Sequence, residues 1–169
     1  MPAPAGANYN FTAYVSSFTS TNSKVTSDNN ANTLTIDNLS PGASTGASAT
    51  PGDTQITVSW TNPTDGDFSN LVVLRDTATI GTGSSPAEGS SPSVGASCGG
   101  TACQVRYISS GTSFIDTSLS NGTTYYYRIF AKDTNGNYTA YASTQQVSAM
   151  PTAAPDTAPP TPNPMTFAT

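Results

Sequence analysis

The chain has no histidine, one glutamate (Glu88) and only five basic residues among 169. The commonest general base and metal ligand is therefore missing. A serine or threonine nucleophile needs a positioned base, and the sequence supplies none: no aspartate pair lies outside turn segments, and Lys24 is a formal candidate only. The chain reads as non-catalytic. Its cations, Lys24, Arg75, Arg106, Arg128 and Lys132, face ten acidic residues for a net charge of −5. No basic stripe exists to neutralise a phosphate backbone, which excludes nucleic acid as a partner. No apolar run approaches the roughly 20 residues of a spanning helix, so no membrane span is expected. The opening MPAPAGANYN has neither the basic start nor the apolar stretch of a signal peptide; a fragment or a processed product is expected.

Large aliphatic residues are also scarce. Leu, Ile, Val and Phe together number 25, below the roughly 20% that accompanies most folded chains. Charge-driven disorder needs strong self-repulsion as well, and the net charge is modest. The apolar residues cluster in alternating runs, which makes a local core feasible. Charged residues are 9% of the chain against a usual figure of about 25%, so the solvated surface must be Ser, Thr, Asn and Gly. Such a surface points to an extracellular or cell-surface protein.

Four stretches differ in character. In residues 1–40, Tyr9, Phe11, Ala13 and Val15 alternate with polar positions, the period of a half-buried strand over about 8–16. Leu34 and Ile36 alternate briefly further on. Residues 41–150 hold denser strand signals: TQITVSW, NLVVLRD, CQVRYIS, TSFIDT and TYYYRIFAKD, separated by turn pairs such as Asn62-Pro63, Asn121-Gly122 and Asn135-Gly136. Many short strands at this spacing predict an all-β sandwich with almost no helix. Residues 77–97 form a Gly-Ser-Pro-rich excursion that reads as a surface loop. The Pro-rich tail, 151–169, favours extended geometry and ends in a short β-like MTFAT.

ITVSW, followed some sixty residues later by LSNGTTYYYRIFAKD, is similar to a bacterial fibronectin type III repeat over about 41–150. The resemblance implies an immunoglobulin-like antiparallel β-sandwich with Trp60 in its core and a tyrosine corner made by Leu119 and Tyr125. It implies strands near 44–49, 55–60, 70–75, 103–108, 112–117, 124–132 and 140–148. Tyr125, Tyr127, Ile129 and Ala131 then face inward, and Tyr126, Arg128, Phe130 and Lys132 outward. The long excursion departs from the family's pattern, and the first 40 residues have no counterpart in one repeat. The tail resembles the start of a following repeat.

Cys98 and Cys103 bracket a Gly-rich GGTA turn, so a disulfide is expected. Asp65 and Asp67 before the third sandwich strand, with Asp133, Asn135 and Asn137 after the sixth, share one end of such a sandwich. Oxygen-rich side chains converging there could hold Ca²⁺, although Asx residues are also ordinary turn formers. No other cofactor is expected. Tyr126 and Phe130 form an outward aromatic pair that would suit a carbohydrate or a protein interface, or pack against the loop or Arg106. Asn10, Asn38, Asn121 and Asn137 open N-x-S/T sequons, which bacterial proteins usually leave unused. The strand at 8–16 reads as a donor to a neighbouring copy or sandwich, with addition to its own sandwich, or a truncated preceding repeat, as the competing readings. The expected function is a structural subunit that polymerises through its termini. A protein- or carbohydrate-binding spacer module of a larger surface protein is the alternative.

Overall fold

In the computed structural model, residues 9–12, 33–37, 39–100 and 102–158 are described. Among the described residues nine strands run in chain order: β1 (Tyr9–Thr12), β2 (Thr33–Ile36), β3 (Thr45–Pro51), β4 (Gln55–Thr61), β5 (Phe68–Asp76), β6 (Gln104–Ser109), β7 (Ser113–Thr117), β8 (Tyr125–Asp133) and β9 (Gln145–Ala149). Among the described residues the only helical turns are two 3₁₀ turns, Thr82–Ser84 and Tyr141–Ser143.

Two antiparallel sheets make the sandwich, one ordered β3-β4-β7 and the other β6-β5-β8-β9. This is the fibronectin type III arrangement, and the expected all-β fold is borne out. The strand bounds differ from expectation mainly at β9, where the 3₁₀ turn takes the first part of the expected strand. Alternation explains β4: Ile56, Val58 and Trp60 turn inward and are buried, while Gln55, Thr57, Ser59 and Thr61 line the other face. Across the core they meet Leu71, Val73, Tyr125, Tyr127, Ile129 and Ala131 from β5 and β8. Trp60 packs edge-on against Tyr107 at a centroid distance of 5.4 Å, and Tyr107 stacks on Phe114 at 5.2 Å.

The central strand β5 breaks the alternation. Leu71, Val72, Val73 and Leu74 are all buried, which requires cover on both faces of its sheet. The inner face is the sandwich core. The outer face carries a second apolar cluster of Val72, Leu74, Val105 and Phe130, closed from above by Ile80, Cys103 and Tyr138. The long excursion supplies part of this cover. It leaves β5 at one end of the sheet and reaches the other, where Gly89 N–H donates to the Gly136 carbonyl at 2.9 Å and the Glu88 carboxylate accepts the Tyr138 N–H at 2.9 Å. The excursion is thus a third layer.

β1 and β2 form a separate antiparallel pair, with Tyr9 opposite Ile36 and Thr12 opposite Thr33. The expected use of the first strand is donation to a neighbour, with pairing inside its own chain as the competing reading; in this single chain its partner is β2. Of the expected 8–16, the described part is Tyr9–Thr12; Ala13 and Val15 lie outside the described residues. So do Lys24, Asn38 and the MTFAT end.

Candidate functional site

Strand register sets the two poles of the sandwich. Thr45 pairs with Thr61, and Phe68 with Asp133, which puts the start of β3, the 62–67 loop and the 134–144 loop at one pole. Pro51 pairs with Ile56, and Tyr125 with Ala149, which puts the 52–54 turn, the 118–124 loop and the end of β9 at the other.

At the first pole, carboxylate oxygens of Asp37, Asp67 and Asp133 lie within 4.8 Å of one another. Asp133 is buried and organises its own loop: its Oδ1 accepts the N–H groups of Asn135 and Asn137, each at 2.8 Å, and its Oδ2 accepts Asn137 Nδ2 at 2.7 Å. Asp37, just after β2, accepts the Asn135 side-chain amide on Oδ2 and the Leu39 N–H on Oδ1. Asn137 Nδ2 also approaches the Asp37 carbonyl at 3.4 Å. The expected Ca²⁺ set is therefore altered in two ways. Asp65 stands apart, its Oδ2 accepting the Gly42 N–H at 2.9 Å. Asn135 and Asn137 turn amide nitrogens, not oxygens, toward the carboxylates, so they act as donors rather than ligands. The oxygens left for a cation belong to the Asp37, Asp67 and Asp133 carboxylates. Asp37 was not foreseen; its signal was the Asp-x-Leu turn just ahead of Pro41.

The same contacts tie the lead-in segment 37–44 to the pole. Thr139 Oγ1 lies 3.2 Å from the Gly42 carbonyl oxygen. A Cβ on Gly42 would sit 2.8 Å from Asp65 Oδ2, so the close approach depends on glycine. At the opposite pole the exit is tied as well. Pro151 is buried and its carbonyl accepts the Gly122 N–H at 2.9 Å, while Thr152 N–H donates to the Gly52 carbonyl at 3.2 Å.

The outward aromatic pair is corrected. Phe130 is wholly buried in the second cluster, and Tyr126 packs against that cluster, because the excursion and the 138–141 segment cover this face. The Phe130 ring is not free to stack on a sugar, and Tyr126 is half-buried. A cleft of about 310 Å³ does open between the excursion and Leu74 and Val105, walled by Pro86, Ala87 and Cys98. No aromatic or charged side chain lines it, so it lacks a stacking platform for carbohydrate. Cys98 and Cys103 are joined in a disulfide with Cα atoms 5.1 Å apart. Trp60, Leu119 and Tyr125 all lie in the main core, and the Tyr125 hydroxyl oxygen accepts the Ser120 N–H at 3.1 Å. The amides of Asn121 and Asn137 are engaged in hydrogen bonds.

A buried ionic cluster was not anticipated at all. Asp116 on β7 is 2% exposed. It accepts hydrogen bonds from Arg75 and Arg106, at 3.1 and 2.7 Å, and from the Tyr127 hydroxyl at 3.0 Å. Burial first, then the charge and hydrogen bond of Asp116, hold the Tyr127 phenol well above its ordinary pKa. Arg128 on the outer face lies 4.0 Å over the Tyr141 ring and donates to Thr144 at 2.6 Å.

The chain matches no family profile and no curated protein. Among solved structures it is similar to the sixth fibronectin type III domain of human fibronectin type III domain containing protein 3. The identity is 19%, covering 76% of this chain and 98% of that domain, with a TM-score of 0.45. It is also similar to a β-1,2-glucanase from Parabacteroides distasonis, at 16% identity and a TM-score of 0.45, over 69% of this chain and 13% of the enzyme. A spore cortex lytic enzyme of Clostridium perfringens matches at 17% identity and a TM-score of 0.43, over 66% of this chain and 29% of that one. The chain thus spans a small part of either enzyme's length. The fold assignment rests on the sheet order, since likenesses this distant carry no argument about function.

No helix of the described residues is long and apolar enough to cross a membrane.

Proposed function

We propose that the chain is a non-catalytic extracellular structural module that propagates end to end, through its termini, into a fibre. One observation carries this reading: the backbone arrives at one pole of the sandwich and departs from the other, and each junction is hydrogen-bonded to the body. A unit held at both poles passes direction from one neighbour to the next, and a head-to-tail contact that does not close yields a filament.

The β1–β2 pair gives the reading a concrete route. Its strands are joined by a long connection, so β1 of one copy can pair with β2 of the next using the same contacts, a strand exchange that costs little. Free thiols are absent among the described residues, because the two cysteines are bonded to each other; this supports an oxidising compartment. The alternative of a carbohydrate-binding module loses its main support with the burial of Phe130.

Electron microscopy of the native material, beside a variant lacking residues 1–40, tests the proposal. The variant is expected to be a folded monomer while the intact chain forms filaments. Assemblies that survive the deletion unchanged would rule out the terminal route.

A further inference from the structure

The sequence holds two Asn-Gly pairs, the dipeptide in which the following backbone nitrogen most readily attacks the asparagine side chain, and the fold treats them in opposite ways. Asn121 is held at both ends of its amide: its Oδ1 accepts the Thr54 N–H at 2.9 Å and its Nδ2 donates to Asp53 at 2.8 Å. The attacking nitrogen is held too, because Gly122 N–H donates to the Pro151 carbonyl at 2.9 Å.

Asn135 is exposed, in the tight turn closed by the Asp133 N–H bond to the Asn137 carbonyl at 3.1 Å. Its Oδ1 has no hydrogen-bond donor among the described residues, and its Nδ2 makes one bond, to Asp37. Gly136 N–H has no acceptor among the described residues. Gly136 itself adopts φ of 95°, a conformation that glycine alone enters without strain.

We infer that Asn135 is a site of spontaneous backbone-assisted deamidation, and that its conversion unfastens the Asp37 end of the lead-in segment, while the ties at Gly42 and Thr139 stay in place. In the step, the Gly136 nitrogen bonds to Cγ of Asn135 and loses its proton, and the side-chain amide leaves as ammonia. Water then opens the resulting succinimide at either carbonyl, giving aspartate or isoaspartate. No oxidant or cofactor takes part.

The consequence follows from charge. Asn135 Nδ2 now donates to a carboxylate that is one of three within 4.8 Å. The product replaces that donor with a fourth carboxylate, so the tie to Asp37 becomes a repulsion. Conversion is irreversible and proceeds with time, which makes the junction an ageing point. The inference stands whether or not the chain forms filaments.

The test incubates the intact protein at mildly alkaline pH and follows the amide-to-acid mass change in peptides carrying Asn121 and Asn135. In the folded protein Asn135 is expected to convert at least about tenfold faster, since Asn121 must first open locally. In urea the two rates should converge. Equal rates in the folded state, or a faster Asn121, overturn the assignment. For the consequence, Asn135→Asp is compared with Asn135→Ala by limited proteolysis across 37–44. Cleavage should be fastest in the aspartate variant, which adds a charge as well as losing the donor. Cleavage of Asn135→Asp no faster than of the unaltered protein overturns the unfastening.

Discussion

The Tyr127 hydroxyl on β8 donates to Asp116 Oδ2 on β7 at 3.0 Å, crossing from one sheet of the sandwich to the other. Arg75 and Arg106 reach the same carboxylate from β5 and β6. A buried carboxylate is costly unless its lone pairs are filled, and here three side chains from the facing sheet fill them. The cluster locks the relative placement of the two sheets at the side where β6 and β7 are free edges.

Replacing Asp116 by alanine removes the acceptor and leaves Tyr127 and the two guanidinium groups without it. Breaking a buried pair costs about 3–5 kcal/mol. The lower end is expected, because the Arg75 and Arg106 side chains are 16% and 27% exposed and can turn to water. Urea unfolding of Asp116→Ala should therefore show a loss of about 3 kcal/mol. A loss under about 1 kcal/mol would mean that the cluster contributes no more than a surface pair.

Tyr127 makes the protein sensitive to alkali. Its folded pKa is raised above the unfolded value of 10.0, so the folded state holds the phenolic proton more tightly than the unfolded chain. The contribution is complete below the unfolded value. Above it, the unfolded chain deprotonates first and stability falls by about 1.4 kcal/mol per pH unit for this one group. Denaturation measured between neutral pH and strong alkali should show the decline beginning near pH 10. Tyr127→Phe should be less stable at neutral pH but should lose less on going to alkali. An identical slope in the two proteins would show that the proton linkage lies elsewhere.

Strands were legible because their signal is local: Ile56, Val58 and Trp60 alternate within seven residues of chain. The third layer was less so, although a trace of it was present. The unbroken LVVL of β5 is the pattern of a strand covered on both faces, and that cover meant Phe130 could not be exposed. The Asp116 cluster had no local trace. Its partners lie 41, 10 and 11 residues away in the chain, and only the strand order brings them together. At the lead-in pole, Asp133, Asn135 and Asn137 were readable as a turn-forming run. Asp37 was not, since its nearest hydrogen-bond partner in that run, Asn135, is 98 residues distant.

Phe130 decides between a binding face and an interior one. As a fully buried ring in the second cluster, its replacement by alanine should cost about 3–5 kcal/mol. The loss should appear first as faster hydrogen exchange in 77–97, because that segment rests on the cluster. A Phe130→Ala protein with unchanged stability would restore the exposed aromatic face and, with it, the binding-module reading.

Asp67 is the member of the lead-in cluster whose carboxylate accepts no hydrogen bond among the described residues, whereas Asp37 and Asp133 accept several each. Its charge lies within 4.8 Å of two others, and among the described residues it forms no salt bridge. Asp67→Asn removes one charge and can leave the backbone bond from Thr134 N–H to the residue 67 carbonyl in place. Stability at low ionic strength should rise by roughly 0.5 kcal/mol, a partly exposed interaction of this kind being weak. The gain should shrink as sodium chloride is added, because screening relieves the same repulsion in the unaltered protein. Calcium chloride at matched ionic strength separates screening from coordination. If the three carboxylates ligate the ion, calcium raises the melting temperature of the unaltered protein beyond what sodium achieves, and Asp67→Asn then becomes destabilising in its presence. Equal effects of the two salts leave repulsion as the whole account of the cluster.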